Sequence, residues 1–117
     1  QRYLNAAEQL GALPLIYTGL SSGLRQCELI TLSWADFHVR YRYILKGQRL
    51  LTLNEKAEHL LKRIPETASS YVFLNPKTEA PYQLHEFYYL HKKILKQARL
   101  PWVAFRDLQR QCMEVGI

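Results

Sequence analysis

The sequence predicts an α+β domain, mostly helical, with a small antiparallel sheet. Three observations carry this prediction. Several segments place apolar residues at the 3.6-residue spacing of a helix face, most clearly Leu84, Phe87, Tyr88, His91, Ile94, Leu95 and Ala98. One stretch, Val39 to Lys46, alternates with period two, as a half-buried strand does. Length and composition then bound the whole: 117 residues, 48% apolar and 12% aromatic, fit one folded domain over residues 1–117 and argue against disorder.

Taken in order, Leu4, Ala7 and Leu10 share one face of a first helix that Gly11 can close. Pro14 can open a second short helix through Leu15, Ile16 and Tyr17. Gly19 and Ser21-Ser22-Gly23 punctuate the chain, and Ser21 or Ser22 is expected to cap a helix from Leu24 to about Leu32. Val39, Tyr41, Tyr43 and Leu45 then form the apolar face of a strand, with Arg40, Arg42 and Lys46 on the other. Gly47-Gln48 turns the chain, and Arg49 to Leu53 returns as the partner strand, with Trp34 to Phe37 as a short third strand. Asn54 caps a helix carrying Ala57, Leu60, Leu61 and Ile64, which Pro65 stops. Tyr71 to Leu74 reads as a strand and Asn75 to Thr78 as a turn. A long helix follows from Gln83 to Arg99, its cations Lys92, Lys93, Lys96 and Arg99 gathered towards the end where they favour the helix dipole. A last helix is expected from Phe105 to about Val115.

Charge narrows the function classes. Sixteen Lys and Arg against ten Asp and Glu give +6, which points to a polyanionic partner such as nucleic acid. No run of 18 uncharged apolar residues exists to span a membrane. Cys27 and Cys112 fit no metal spacing and read as buried thiols, and His85 and His91 are six apart, wrong for a shared metal face. No metal, cofactor or small-molecule substrate is expected. The chain starts at Gln1 with neither an initiating Met nor a signal peptide, so it is expected to be a piece of something longer.

The densest chemical signal is Arg25 at a helix start, directly after a glycine turn. A helix N-terminus favours anions, and a guanidinium there adds a planar fork of donors matched to phosphate oxygens. Glu28 lies one turn on, on the same face, so a plain surface Arg–Glu pair is the competing reading. The second signal is the hairpin, where Arg40, Arg42, Lys46 and Arg49 sit on one strand pair. Its competing reading is a solvated outer face or edge protection by charge.

Order and spacing join the two signals. Gly23-Leu24-Arg25-x-x-Glu28-Leu29-x-x-Leu32-x-Trp34-x-Asp36 resembles the first-arginine box of the tyrosine recombinase (phage integrase) family. A hairpin with Lys46 at its tip, Arg49 to Leu53, a helix, Tyr71 to Leu74 and a long helix ending at Ala98-Arg99-Leu100 follow in the family's order. Phe105-Arg106-Asp107-Leu108-Gln109-Arg110 looks like the family's His-x-Leu-Arg box in degraded form. The resemblance covers most of the chain, as the first two thirds or so of a catalytic domain.

That resemblance implies a recombinase catalytic-domain fold and DNA strand exchange by phosphodiester transesterification, used in site-specific integration or excision. It carries over Arg25 as a phosphate-binding arginine, supported by Glu28, and Lys46 as the leaving-group acid. Arg25, Arg40, Arg42, Lys46 and Arg49 become the expected contacts to double-stranded DNA, and Arg106 and Arg110 are further candidates from the degraded box. Arg106 stands where the family has histidine, and Gln109 where it has its second arginine. The family's nucleophilic tyrosine lies downstream of this box, whereas Tyr82, Tyr88 and Tyr89 all precede it and read as packing aromatics. The chain by itself is therefore expected not to cleave DNA. The resemblance further implies a bacterial or phage cytoplasm and allows a homo-oligomer on DNA. The rival expectation is a catalytically dead regulatory or protein-interaction domain on the same fold.

Overall fold

The computed structural model describes residues 2–38, 42–65 and 67–114. Helix α1 (Arg2–Gln9) buries Tyr3, Leu4, Ala6 and Ala7, and Gly11 turns the chain at φ 73°. Helix α2 (Leu13–Ser22) has Pro14 in its first turn and buries Leu15, Ile16, Tyr17, Thr18, Gly19 and Leu20. A helix apolar on nearly every side belongs in the middle of a core, and α2 packs on α1, on α3 (Gln26–Ile30), on α4 (Glu55–Lys62) and on α6 (Phe105–Glu114).

The expected break at Gly19 does not occur. Gly19 is helical, and a Cβ there would lie 2.6 Å from Leu29 Cδ2 and 3.0 Å from Phe105 Cζ. The residue is small because α3 and α6 approach the helix at that point. The helix ends instead at Gly23, whose φ of 76° lets its N–H reach back to the Gly19 carbonyl. Ser21 and Ser22 consequently do not cap the next helix. Ser22 Oγ donates to the Thr18 carbonyl within its own helix, and α3 starts later and is shorter than expected, with Arg25 as its N-cap.

After a 3₁₀ turn at Trp34–Asp36, where a strand was expected, β1 (Phe37–His38), β2 (Tyr43–Lys46) and β3 (Arg49–Thr52) form an antiparallel sheet in the order β1-β2-β3. Phe37 pairs with Ile44, Ile44 with Leu51, and Lys46 with Arg49. Gly47 supplies the positive φ (61°) of the two-residue turn. The faces are the reverse of the sequence expectation. Ile44 is fully buried, while Tyr43 and Leu45 are 40% and 45% exposed. The inner face of so small a sheet is only about one residue wide on each strand, so Phe37, Ile44 and Leu51 suffice to fill it. Val39, Arg40 and Tyr41 lie outside the described residues.

Helix α4 is capped as expected: Asn54 Oδ1 accepts the Ala57 N–H at 2.8 Å, and Ala57, Leu60 and Leu61 are buried. Tyr71 forms only an isolated bridge to Ser33. The second small sheet pairs β4 (Leu74–Asn75) with β5 (Ala80–Pro81) across the expected turn. Helix α5 (Leu84–Gln97) buries Phe87, His91, Ile94 and Leu95. Leu84 and Tyr88, counted on its apolar face, are 53% and 46% exposed. Phe87 meets Phe105 of α6 edge to face, with centroids 5.0 Å apart. The thiols divide: Cys112 is buried, whereas Cys27 is exposed, contrary to expectation.

Candidate functional site

The left-handed cap at Gly23 aims the chain so that Arg25 enters α3 extended, at φ −64° and ψ 153°. Its backbone N–H donates to Glu28 Oε1 at 3.0 Å, which satisfies one of the free donors of the helix start. Its side chain is exposed, and its guanidinium has no hydrogen-bond or ion-pair partner among the described residues. The sequence offered Glu28 as Arg25's ion-pair partner. Glu28 pairs instead with Arg49 of β3, at 2.5 Å, and this leaves Arg25 free to meet an anion.

Lys46 behaves differently. It stands at the turn end of β2 with the same parity as Ile44, so its side chain runs inward, towards α3 and the 3₁₀ turn. Its Nζ donates to the Thr31 carbonyl at 3.0 Å and lies 3.4 Å from Asp36 Oδ2. Asp36 thus ties the hairpin to the 3₁₀ turn, and it also accepts the Ser33 N–H at 3.0 Å. Burial opposes ionisation of Asp36, but the Ser33 N–H and the Lys46 ammonium outweigh it and hold its carboxyl below the ordinary range.

Arg42, whose φ of 62° ends the regular strand, pairs with Glu58 of α4 at 2.6 Å. The Lys62 ammonium, with Arg42 beyond it, holds the Glu58 carboxyl below its usual value. Each hairpin cation expected at the site and described in the structure is thus matched to a carboxylate: Arg42 to Glu58, Lys46 to Asp36, Arg49 to Glu28. Arg40 lies outside the described residues.

The degraded last box forms the first turns of α6. Arg106 is exposed and has no partner among the described residues. Arg110 is exposed and only 3.9 Å from Asp107, a loose surface pair. Gln109 points the other way. It is 7% exposed, and its Nε2 donates to the carbonyls of Gly19 (2.8 Å) and Leu24 (2.7 Å). The last box therefore holds the turn that presents Arg25, through a neutral amide.

Sequence reasoning missed a second cationic surface as a candidate contact. Lys92, Lys93, Lys96 and Arg99 are exposed along α5 and its end, and among the described residues none has a carboxylate within ion-pair distance. The sequence had read them as dipole partners only. Their i, i+3/i+4 spacing beside the exposed Tyr88 and Tyr89 was the available signal.

Among the described residues no group of three His, Cys, Asp or Glu is placed to hold a metal. No helix among them is long and apolar enough to cross a membrane. His91 is buried and satisfied, bonded to the Tyr3 hydroxyl and the Val103 carbonyl, each at 2.7 Å. His38, His59 and His85 are exposed.

No protein-family model matches the chain, and no curated protein matches it in sequence. Among solved structures, the crystal structure of XerA recombinase superposes with a TM-score of 0.77 at 16% identity, over 98% of this chain and 46% of that chain. The chain thus spans less than half the length of that recombinase. At this identity the match speaks for the fold, and nearly every residue takes part in it: the chain has a recombinase-like α+β fold.

Proposed function

We propose that the chain is the phosphate-holding part of a tyrosine recombinase catalytic domain, that it binds double-stranded DNA through the sugar-phosphate backbone, and that it does not cleave DNA by itself. The observation that carries this reading is the Arg25 guanidinium, without a partner among the described residues, presented at the start of α3 and braced by Glu28 and Arg49. A free fork of donors beside helix N–H groups suits a phosphodiester. The exposed cations of α5, unpaired among the described residues, extend the same polarity and supply further backbone contacts. Lys46 would have to leave Asp36 to protonate a leaving group. Gln109, engaged with two carbonyls, offers a phosphate neither charge nor fork.

The test is fluorescence anisotropy with a generic duplex at two salt concentrations. Affinity should fall steeply with salt, because phosphate contacts release counterions. Arg25→Ala should weaken binding by about tenfold and flatten the salt dependence by about one counterion, without changing the melting temperature. Undiminished binding by the variant removes Arg25 from the interface.

One observation favours a second reading, a protein-interaction domain. The outer face of the hairpin pairs Leu45 with Leu50, and these are 45% and 63% exposed beside Tyr43. Gel filtration showing self-association without DNA affinity would favour it.

A further inference from the structure

We propose that the aromatic cleft between α5 and the segment leading into α6 is a stacking site for one unpaired nucleobase; this rests on the DNA-binding reading above. The cleft has a volume of about 200 Å³ and is lined by five aromatic rings, Phe87, Tyr88, His91, Trp102 and Phe105, together with Gln26 and Ala104, with no carboxylate in its wall. It lies below the roughly 300 Å³ at which pockets for drug-sized molecules begin, so it takes a single planar ring and not a whole nucleotide.

Its rings form one array. Tyr88 meets Trp102 with centroids 5.4 Å apart, Trp102 meets His91 at 5.4 Å, and His91 meets Phe105 at 5.5 Å. The inner rings are buried core, but Trp102 is 56% exposed and Tyr88 46%. Large aromatics left open to water at the mouth of a cleft mark a binding surface.

Charge selects the occupant. Arg25 immediately precedes the lining residue Gln26, and Arg106 immediately follows the lining residue Phe105. Both are exposed, and neither has a partner among the described residues. Arg106 also sits in the first turn of α6, where a cation opposes the helix dipole. An aromatic platform flanked by free arginines matches a base with its own phosphates, the arrangement by which proteins hold unpaired strands. A paired duplex hides its base faces, so Trp102 and Tyr88 would add nothing to its binding, whereas a bulged or frayed base can enter.

The test compares two labelled duplexes, one fully paired and one carrying a single bulged 2-aminopurine. The 117-residue chain should bind the bulged duplex about tenfold more tightly and quench the 2-aminopurine emission on binding. Trp102→Ala should abolish both effects and leave affinity for the paired duplex unchanged. Tyr88→Ala, at a second exposed position, should reduce both. Equal affinity for the two duplexes without quenching, or a preference that survives in both variants, overturns the proposal while the DNA-binding reading stands. Failure to bind either duplex overturns both.

Discussion

Lys46 and Arg49 face each other across the β2–β3 turn and hold α3 at its opposite ends. Lys46 bonds to the Thr31 carbonyl at the C-terminal end, and Arg49 pairs with Glu28, whose carboxylate caps the N-terminal end. A helix of five residues is too short to persist alone. The hairpin therefore sets where Arg25 points.

The first prediction tests that brace. Glu28→Ala should remove the acceptor of the Arg25 N–H and release Arg49. The capping loss costs about 1 kcal/mol. The ion pair adds little because the Arg49 side chain is 39% exposed. Chemical denaturation should record that loss. Duplex affinity should fall several-fold although no cation has been removed. Unchanged affinity would mean that Arg25 holds its position without the hairpin.

The second prediction separates the two cationic surfaces. Among the described residues Lys92, Lys93 and Lys96 have no ion-pair partner, whereas Arg42 is matched to Glu58 at 2.6 Å. A free cation contributes fully to counterion release on binding, but a paired one must first give up its carboxylate. Replacing the three lysines by Gln should lower the salt slope by about two to three. Arg42→Gln should lower it by about one at most. The measurement is duplex affinity over a salt series, and the opposite ranking would return the interface to the hairpin.

The long helix α5, the Asn54 cap and the Gly47-Gln48 turn were legible in the sequence, because each is written in a contiguous stretch with one dominant physical cause. The Arg25 turn was legible for the same reason. Tertiary partners decided the rest. Gly19 reads as a breaker, yet it is the point where Leu29 and Phe105 close on α2. The four apolar residues at odd positions of 39–46 outnumber Ile44, yet Ile44 is buried because Phe37 and Leu51 flank it in register. Glu28 was read beside Arg25, one turn away on the same face, yet its ion-pair partner is Arg49, 21 residues on.

The third prediction concerns acid stability. The Val103 carbonyl can only accept, so His91 Nε2 carries the proton and Nδ1 accepts from the Tyr3 hydroxyl. Burial pushes the imidazole below its usual 6.5, and the bond to Val103 only partly opposes this. The unfolded chain takes up its proton near 6.5, while the folded chain resists it. Stability is therefore complete above that pH and is lost as pH falls from there towards the folded value. The melting temperature should decline as pH falls below about 6.5. His91→Gln, less stable at neutral pH, should show a flatter decline. An equal slope in both proteins would assign the acid sensitivity to another group.

The fourth prediction joins the degraded last box to the first. Gln109 lies 90 residues from Gly19 and donates to its carbonyl as well as to that of Leu24, the residue before Arg25. Gln109→Leu keeps most of the volume but leaves the Leu24 carbonyl without its donor and the Gly19 carbonyl with the Gly23 N–H alone, a loss of about 1–2 kcal/mol. The Leu24 end of the turn would no longer be held, so duplex affinity should fall several-fold with Arg25 intact. Denaturation and anisotropy on the same variant distinguish the outcomes. Lower affinity at unchanged stability would make Gln109 a DNA contact in its own right. A loss of stability with affinity intact would make it a plain core residue. Loss of both is expected, because the amide ties α6 to the turn from which Arg25 projects.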